Sequence, residues 1–236
     1  MTQSRLTVAV SNAFFKSLNK LPNKSRGKVA SFLSKFRENP SSPGLNYEHI
    51  EGGKDKLIRS VRVDQEIRCI VRAPDQGNVY VLLWVDKHDD AYQWAKRRSC
   101  HVNRVSGALQ IVDVESAEEA IATSVESKSE KASLSNSDKV ASLFVSCSNE
   151  QLMLIGVPEV LIPAVRACNN EESLNMLIEW LPQSCVEGLI LLADGCNIEE
   201  VINEVVIDSK GKVDISDVAT ALDRPESMAE FMVITD

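Results

Sequence analysis

The stretch Val79-Tyr80-Val81-Leu82-Leu83-Trp84-Val85 is apolar on both of its alternating faces. A strand of that kind needs cover on both sides, so it must be central, and the rest of the fold must supply its neighbours and layers. Two strand patterns precede it, Leu57 to Val63 and Ile67 to Ala73, and the turn cluster Pro74-Asp75-Gln76-Gly77-Asn78 separates the second from the third. Upstream, Leu6, Val8 and Val10 alternate with small or polar residues and predict an opening strand. Ser11 or Asn12 then caps a helix carrying Phe14, Phe15, Leu18 and Leu21, which Pro22 stops. A second helix places Val29, Phe32, Leu33 and Phe36 at helical spacing before Asn39-Pro40. Asp89 or Asp90 caps a closing helix that runs through Tyr92 and Trp94 to Arg98. The predicted order is β-α-α-β-β-β-α, an α+β domain.

Past residue 104 the pattern changes. Gly107 to Val114 predicts one short strand, and Ser116 to Ser137, rich in Ser, Glu and Lys, reads as a linker or a weakly ordered helix. Leu143 to Val206 reads as short helices punctuated by Gly156-Val157-Pro158, Leu181-Pro182 and Gly195. Asp208 to Lys212 is a turn, and Phe231 to Ile234 has strand character. The expected domains are therefore a basic one over 1–104, a short strand and linker over 105–140, and a small, mostly α-helical one over 141–236. Charge follows the same division: 19 Lys and Arg stand against 10 Asp and Glu in 1–104, while 7 stand against 24 in 105–236, so +9 and −17 make up the net −8. Such asymmetry implies different partners for the two halves, and a basic half meets polyanions, DNA or RNA, because each neutralised phosphate releases counterions. The alternative is that the acidic half solubilises or covers the basic one.

The six cysteines include no CxxC pair and suit neither a disulfide framework nor a zinc site, so they read as reduced thiols in a cytoplasm. No apolar run is long enough to span a bilayer and the N-terminus has no apolar signal core, which argues against a membrane partner. No metal or cofactor is implied.

Four arginines lie on or beside the two middle strands. Alternation puts Arg68 and Arg72 opposite Ile67, Cys69 and Val71, and puts Arg62 in phase with Ser60 and Ile58. Arg59 falls in the apolar phase, at a bulge, a strand end or a cleft. Lys54 and Lys56 precede this set and Lys87 follows it. A sheet face with several guanidinium groups can hold phosphates by bidentate contacts; the competing reading is a solvated face balanced by Glu48, Glu51, Asp64 and Glu66. His88 and Tyr92, just after the central strand, are groups that can move a proton. With arginines to stabilise a pentavalent phosphate they are the parts for metal-free RNA cleavage. The competing reading has Asp89 and Asp90 capping a helix on which Tyr92 and Trp94 pack.

Ala13-Phe14-Phe15-Lys16-Ser17-Leu18 with Leu21-Pro22, Phe36 to Pro40, Leu45, the strand pair Val61-Arg62-Val63 and Ile67-Arg68-Cys69-Ile70-Val71, and the helix around Tyr92 together resemble a RelE/ParE-type toxin domain. The resemblance implies a ribosome-dependent mRNA cleavage site lined by Arg62, Arg68, His88 and Tyr92, with Glu48 near a position where some relatives place a carboxylate. The sequence departs from active members at Ile58 and Ser60, where they carry lysines, and in the acidic run Asp86 to Asp90. Contact with nucleic acid is thus the firmer implication, and pairing with an antitoxin-like protein partner is a third.

The second half, through Glu150-Gln151-Leu152, Ile155-Gly156-Val157-Pro158, Ile162-Pro163-Ala164-Val165-Arg166 and Leu181-Pro182, resembles a segment of UvrD/Rep-type superfamily I DNA helicases that carry a RelE-like domain at their N-terminus. Arg224-Pro225-Glu226-Ser227 to Asp236 is similar to the stretch before their ATP-binding core. The resemblance implies a nucleic-acid-binding, regulatory region that works beside a downstream helicase motor. No GxxxxGK[ST] phosphate loop occurs in the chain, and Gly52-Gly53-Lys54-Asp55-Lys56 lacks its spacing. Leu154 to Pro158 also hints at a helix-hairpin-helix, but Glu159 stands where a glycine is needed, so a helix-breaking turn is the expected reading.

Overall fold

The structure, a computed structural model, describes residues 6–74, 77–116, 142–205 and 213–234. It is α+β and divides into two compact units: residues 1–100 with 216–223 and 227–236, and residues 101–215 with 224–226. The predicted 116–137 linker, beyond Ser116, and the 208–212 turn lie outside the described residues.

In the first unit the elements run β1 (Thr7–Ser11), α1 (Asn12–Lys20), α2 (Asn23–Glu38), β2 (Tyr47–His49), β3 (Ile58–Arg62), β4 (Ile67–Arg72), β5 (Val79–Lys87) and α3 (His88–Lys96). Together with β8 (Phe231–Val233) the strands form one sheet in the order β2-β3-β4-β5-β1-β8. The apolar run is β5, and it sits inside the sheet as its two-faced pattern requires, parallel to β1 and antiparallel to β4. The strand character of residues 231–234 appears as β8, antiparallel on β1.

One face of the sheet carries Val61, Ile67, Cys69, Val71, Leu82 and Val85, which join Phe14, Val29, Phe32 and Phe36 of the helical hairpin in one core. Ser11 is the N-cap of α1, its Oγ accepting from Phe14 N. The same hydroxyl donates to Leu83 O at 2.8 Å, and Ser17 Oγ accepts from Val85 N at 3.0 Å. The β1–β5 ladder ends at Leu82, so these two serines satisfy the β5 backbone just past the point where strand pairing stops.

Four features differ from what the sequence predicts. Two strands were not foreseen: β2, three residues long, and β6 (Arg98–Val102), which starts where the closing helix was expected to continue. The helix ends at Lys96 because the backbone beyond it pairs in a two-stranded sheet with β7 (Leu109–Asp113). Neither Asp89 nor Asp90 caps α3. Lys87 holds the cap position with extended backbone and no side-chain bond, and both aspartates lie in the first turn, where their charge suits the helix dipole. The predicted 141–236 domain also loses residues 216–223 and 227–236 to the first unit, because β8 completes the sheet on β1.

In the second unit, short helices follow: α4 (Asn149–Leu154), a 3-10 turn (Glu159–Leu161), α5 (Ile162–Ala167), α6 (Glu171–Ile178), α7 (Gln183–Ala193) and α8 (Ile198–Val205). α9 (Val218–Leu222) and α10 (Pro225–Met228) precede β8. Phe144, Leu152, Ile155, Val165, Leu189 and Val201 form the core of this unit. Each helix is too short to be stable alone, so packing and caps carry it: Ser148 and Asn170 close capping boxes on α4 and α6. Gly156, at φ +101°, ends the turn after α4. The amides of Gly156 and Val157 donate to Met153 O and Leu152 O, so they are spent on the helix. The turn reading holds, and a phosphate-gripping hairpin does not form there.

Candidate nucleic-acid interface

The sheet face away from α1 and α2 is partly covered by α3, which packs across β3, β4 and β5. Register brings the polar residues of that face together. Arg62 pairs with Arg68, Arg68 with Asp86, Glu48 with Ser60, and Arg72 with Ile58. Directly opposed residues hold their Cβ atoms about 4.5–5.5 Å apart, so Arg62, Arg68 and Asp86 form one short row across three strands.

α3 sets its own residues around this row by helical geometry. Ala91 and Ala95 point into the sheet and are buried, while His88 and Tyr92, four apart, share one flank. The Tyr92 ring stacks on His88 with centroids 4.5 Å apart and planes 22° apart. The Tyr92 hydroxyl donates to Glu48 Oε2 at 2.9 Å, and His88 Nδ1 lies 2.8 Å from Asp89 Oδ1. Burial first, and then the hydrogen bond and charge of Glu48, raise the Tyr92 pKa above its ordinary value of 10; the Ser60 hydroxyl and the Arg68 charge pull the other way. Tyr92 is therefore protonated at neutral pH and able to donate.

The anticipated arginines separate into three fates. Arg62 is exposed and stands two residues along β3 from Ser60, the register partner of Glu48. Arg68 is 5% and Arg72 7% exposed. Arg68 Nη1 donates to Asp64 O and Ile67 O, and Arg72 Nε donates to Cys100 O at 3.0 Å, so both guanidinium groups spend donors on the protein's own carbonyls. The expected open sheet face of several guanidiniums is corrected accordingly: α3 and the chain after it cover that face. Arg59 lies on the opposite face, paired with His49 and Val71, its Nη1 donating to Ile58 O. Lys54, Lys56 and Lys87 are exposed, outside the row itself.

Three participants have no site role in the sequence expectation, in which Ser60 and Asp86 figure only as departures from active toxins. Ser60 and Asp86 belong to the cluster through register, which alternation alone does not supply. The third is a stack on the other flank of α3, where Trp94 lies on Trp84 at 5.0 Å and 11°, with the Arg98 guanidinium 4.7 Å from the Trp94 ring. The in-phase placement of Trp84 with Asp86 on β5 was the available signal.

Among the described residues no three His, Cys, Asp or Glu side chains gather as a metal ion requires, all six cysteines are free thiols, and no helix is long and apolar enough to cross a membrane. No protein-family model and no curated protein matches the chain. Three solved structures from Helicobacter pylori align with it. A metal-bound toxin shares 23% identity over 36% of this chain and 98% of its own, with a TM-score of 0.26. A copper-bound mutant toxin shares 16% over the same fractions with a TM-score of 0.27. A conserved hypothetical protein, HP0892, shares 24% over 37% of this chain and 99% of its own, with a TM-score of 0.24.

Proposed function

We propose that the first unit binds RNA at the Arg62–Arg68–Asp86 row and cleaves it there without a metal, as a toxin-type endoribonuclease. The observation that carries this reading is the Tyr92 hydroxyl donating to Glu48, whose register partner Ser60 shares a strand face with the exposed Arg62. A ribose 2′-hydroxyl attacks the adjacent phosphorus and its proton passes to the Glu48 carboxylate. The P–O5′ bond breaks, and the leaving 5′-oxygen takes the Tyr92 proton. The products are a 2′,3′-cyclic phosphate and a 5′-hydroxyl, and the existing Tyr92–Glu48 hydrogen bond lets Glu48 return the proton to the phenolate. Arg62 supplies the positive charge for the phosphorane oxygens, while Arg68, its donors partly committed, holds the row in place.

The test is cleavage of an end-labelled single-stranded RNA by the full chain in EDTA, with cyclic phosphate ends scored. Tyr92→Phe and Glu48→Gln should each slow cleavage by about 10²- to 10⁴-fold, the usual worth of a positioned acid or base, with RNA affinity nearly unchanged; Arg62→Ala should weaken both. Cleavage that survives Tyr92→Phe at the wild-type rate sinks this assignment.

A second reading rests on the motif order of residues 144–195, in which the chain regulates a helicase motor encoded downstream. A phosphate-loop motif read in the gene soon after the Asp236 codon would support it.

A further inference from the structure

The helical hairpin on the other side of the sheet carries a charge that the site above does not use. From Asn12 to Glu38 the chain has seven cations, Lys16, Lys20, Lys24, Arg26, Lys28, Lys35 and Arg37, and a single carboxylate, Glu38. All seven cations are exposed. They are ordered by the helices: Lys16 and Lys20 are four apart on α1, and Lys24, Lys28 and Lys35 share one flank of α2 while Arg26 and Arg37 share the other. The inward face is fixed by buried Val29, Phe32 and Phe36, which leaves Gly27, Ala30, Ser31 and Ser34 on the crest between the two rows. Lys24 and Lys35 are about 16 Å apart along the axis at 1.5 Å per residue. Lys28 has its charge answered by a salt bridge to Asp64 at 2.6 Å.

The chemistry of this surface selects among polyanions. A helix that lies on an anionic membrane pairs its cations with Trp, Phe or Leu on the adjoining face, and a protein interface needs aromatic or aliphatic anchors. The hairpin exposes no large apolar side chain among its described residues. What remains is recognition by charge alone, spread across two helices, and that suits a phosphodiester backbone.

We infer that α1 and α2 form a second nucleic-acid surface, which takes the backbone of duplex RNA or DNA independently of sequence and of the cluster around Tyr92. The inference does not depend on the cleavage reading, since the two surfaces lie on opposite faces of the sheet.

The test uses the full chain and a Lys16→Gln, Lys20→Gln, Lys24→Gln, Lys35→Gln variant, which leaves the Lys28–Asp64 pair intact. Each protein is titrated in EDTA with a 20-base-pair RNA duplex, the same sequence as DNA, and phosphatidylserine vesicles, over a salt series. Each lost phosphate contact removes about 0.9 from the slope of log K against log salt on B-DNA. The variant should therefore bind duplex at least about tenfold more weakly near 0.1 M salt, with a slope lower by about three to four if every lysine meets a phosphate. The RNA and DNA arms show which duplex is held more tightly. If the fourfold variant unfolds, Lys24→Gln alone should still lower the slope by about one. Wild-type affinity and slope in the folded variant overturn the inference, as does a wild-type protein that binds the vesicles and neither duplex.

Discussion

The two units treat their buried polar groups differently. In the second, such groups serve the backbone. Asn103 Nδ2 donates to Met153 O and Val157 O while its Oδ1 accepts from Val105 N and Ser106 N, and Gln110 Nε2 donates to Gly156 O. Arg166 donates to the carbonyls of Phe144 and Cys147 and to Asn149 Oδ1. In the first unit Arg68 and Arg72 do the same work, but Tyr92 meets Glu48 and His88 side chain to side chain, and Arg62 on the same sheet face is exposed. Positive charge by itself therefore does not mark a site. What matters is whether a group's hydrogen-bonding capacity is already spent on the protein's own main chain.

The comparison breaks most visibly if the units do not own separate cores. Phe14 and Phe144 are each fully buried in a different one, and truncating such a residue to alanine costs about 3–5 kcal/mol. Trp84 and Trp94 report on the first unit and Trp180 on the second, so ¹⁹F NMR of fluorotryptophan-labelled protein in urea separates the two. Phe14→Ala should bring forward only the Trp84 and Trp94 transition, and Phe144→Ala only that of Trp180. One shared shift of all three signals would show a single cooperative core.

A smaller effect sharpens the contrast in polar groups. Asn103→Ala takes the partner from Val157 O and from the Val105 and Ser106 amides in the second unit, while Met153 O keeps the Gly156 amide; Ser17→Ala takes the partner from the Val85 amide in the first. At about 1–3 kcal/mol for each buried group left unpaired, less any relaxation, Asn103→Ala should be the more damaging by at least about 1 kcal/mol. Urea midpoints of the two variants check this, and equal losses would mean that water or a local shift replaces Asn103.

How far the sequence anticipates this structure depends on the range of the interaction. The strands, the helical hairpin and the Ser11 cap are local, and periodicity with a capping residue shows them. β2 is three residues long and β8 pairs with β1 from the far end of the chain, so only the strand tendency of Phe231 to Ile234 was visible. For the candidate site, alternation correctly put Arg62, Arg68 and Arg72 on one face. It could not show that α3 and the chain after it would cover two of them, because burial of a guanidinium under later elements is a tertiary event. The Glu48–Tyr92 hydrogen bond spans 44 residues, and no local pattern encodes it. The basic rows of α2 were legible in residue spacing, yet the apolar face of the same helix is the stronger signal for fold.

The weakest expected effect concerns the Lys28–Asp64 pair on that helix. Burial raises the Asp64 pKa, but the Lys28 hydrogen bond, the Ile67 and Glu66 amides and the Lys28 charge together hold it below its ordinary value. Because the folded pKa is depressed, the unfolded chain binds more protons between the two values. The stabilisation is complete above the ordinary carboxylate value and is lost as pH falls through the folded one. Lys28 is raised, chiefly by its hydrogen bond to Asp64, so its share is present below its ordinary value and fades as pH rises through the folded one. Both groups face water, so the pair is weak and salt screens it. Asp64→Asn keeps an Oδ1 acceptor for the Glu66 and Ile67 amides, which now donate at 2.8 and 2.7 Å, and so removes the charge with little damage to the turn. Thermal melts between pH 2 and 7 should show a shallower acid limb for this variant at low salt, with the two proteins converging in 1 M salt as the screening length falls to about 3 Å. An acid limb that Asp64→Asn leaves unchanged would place that pH dependence elsewhere and leave Lys28 as one more exposed cation in the α2 row.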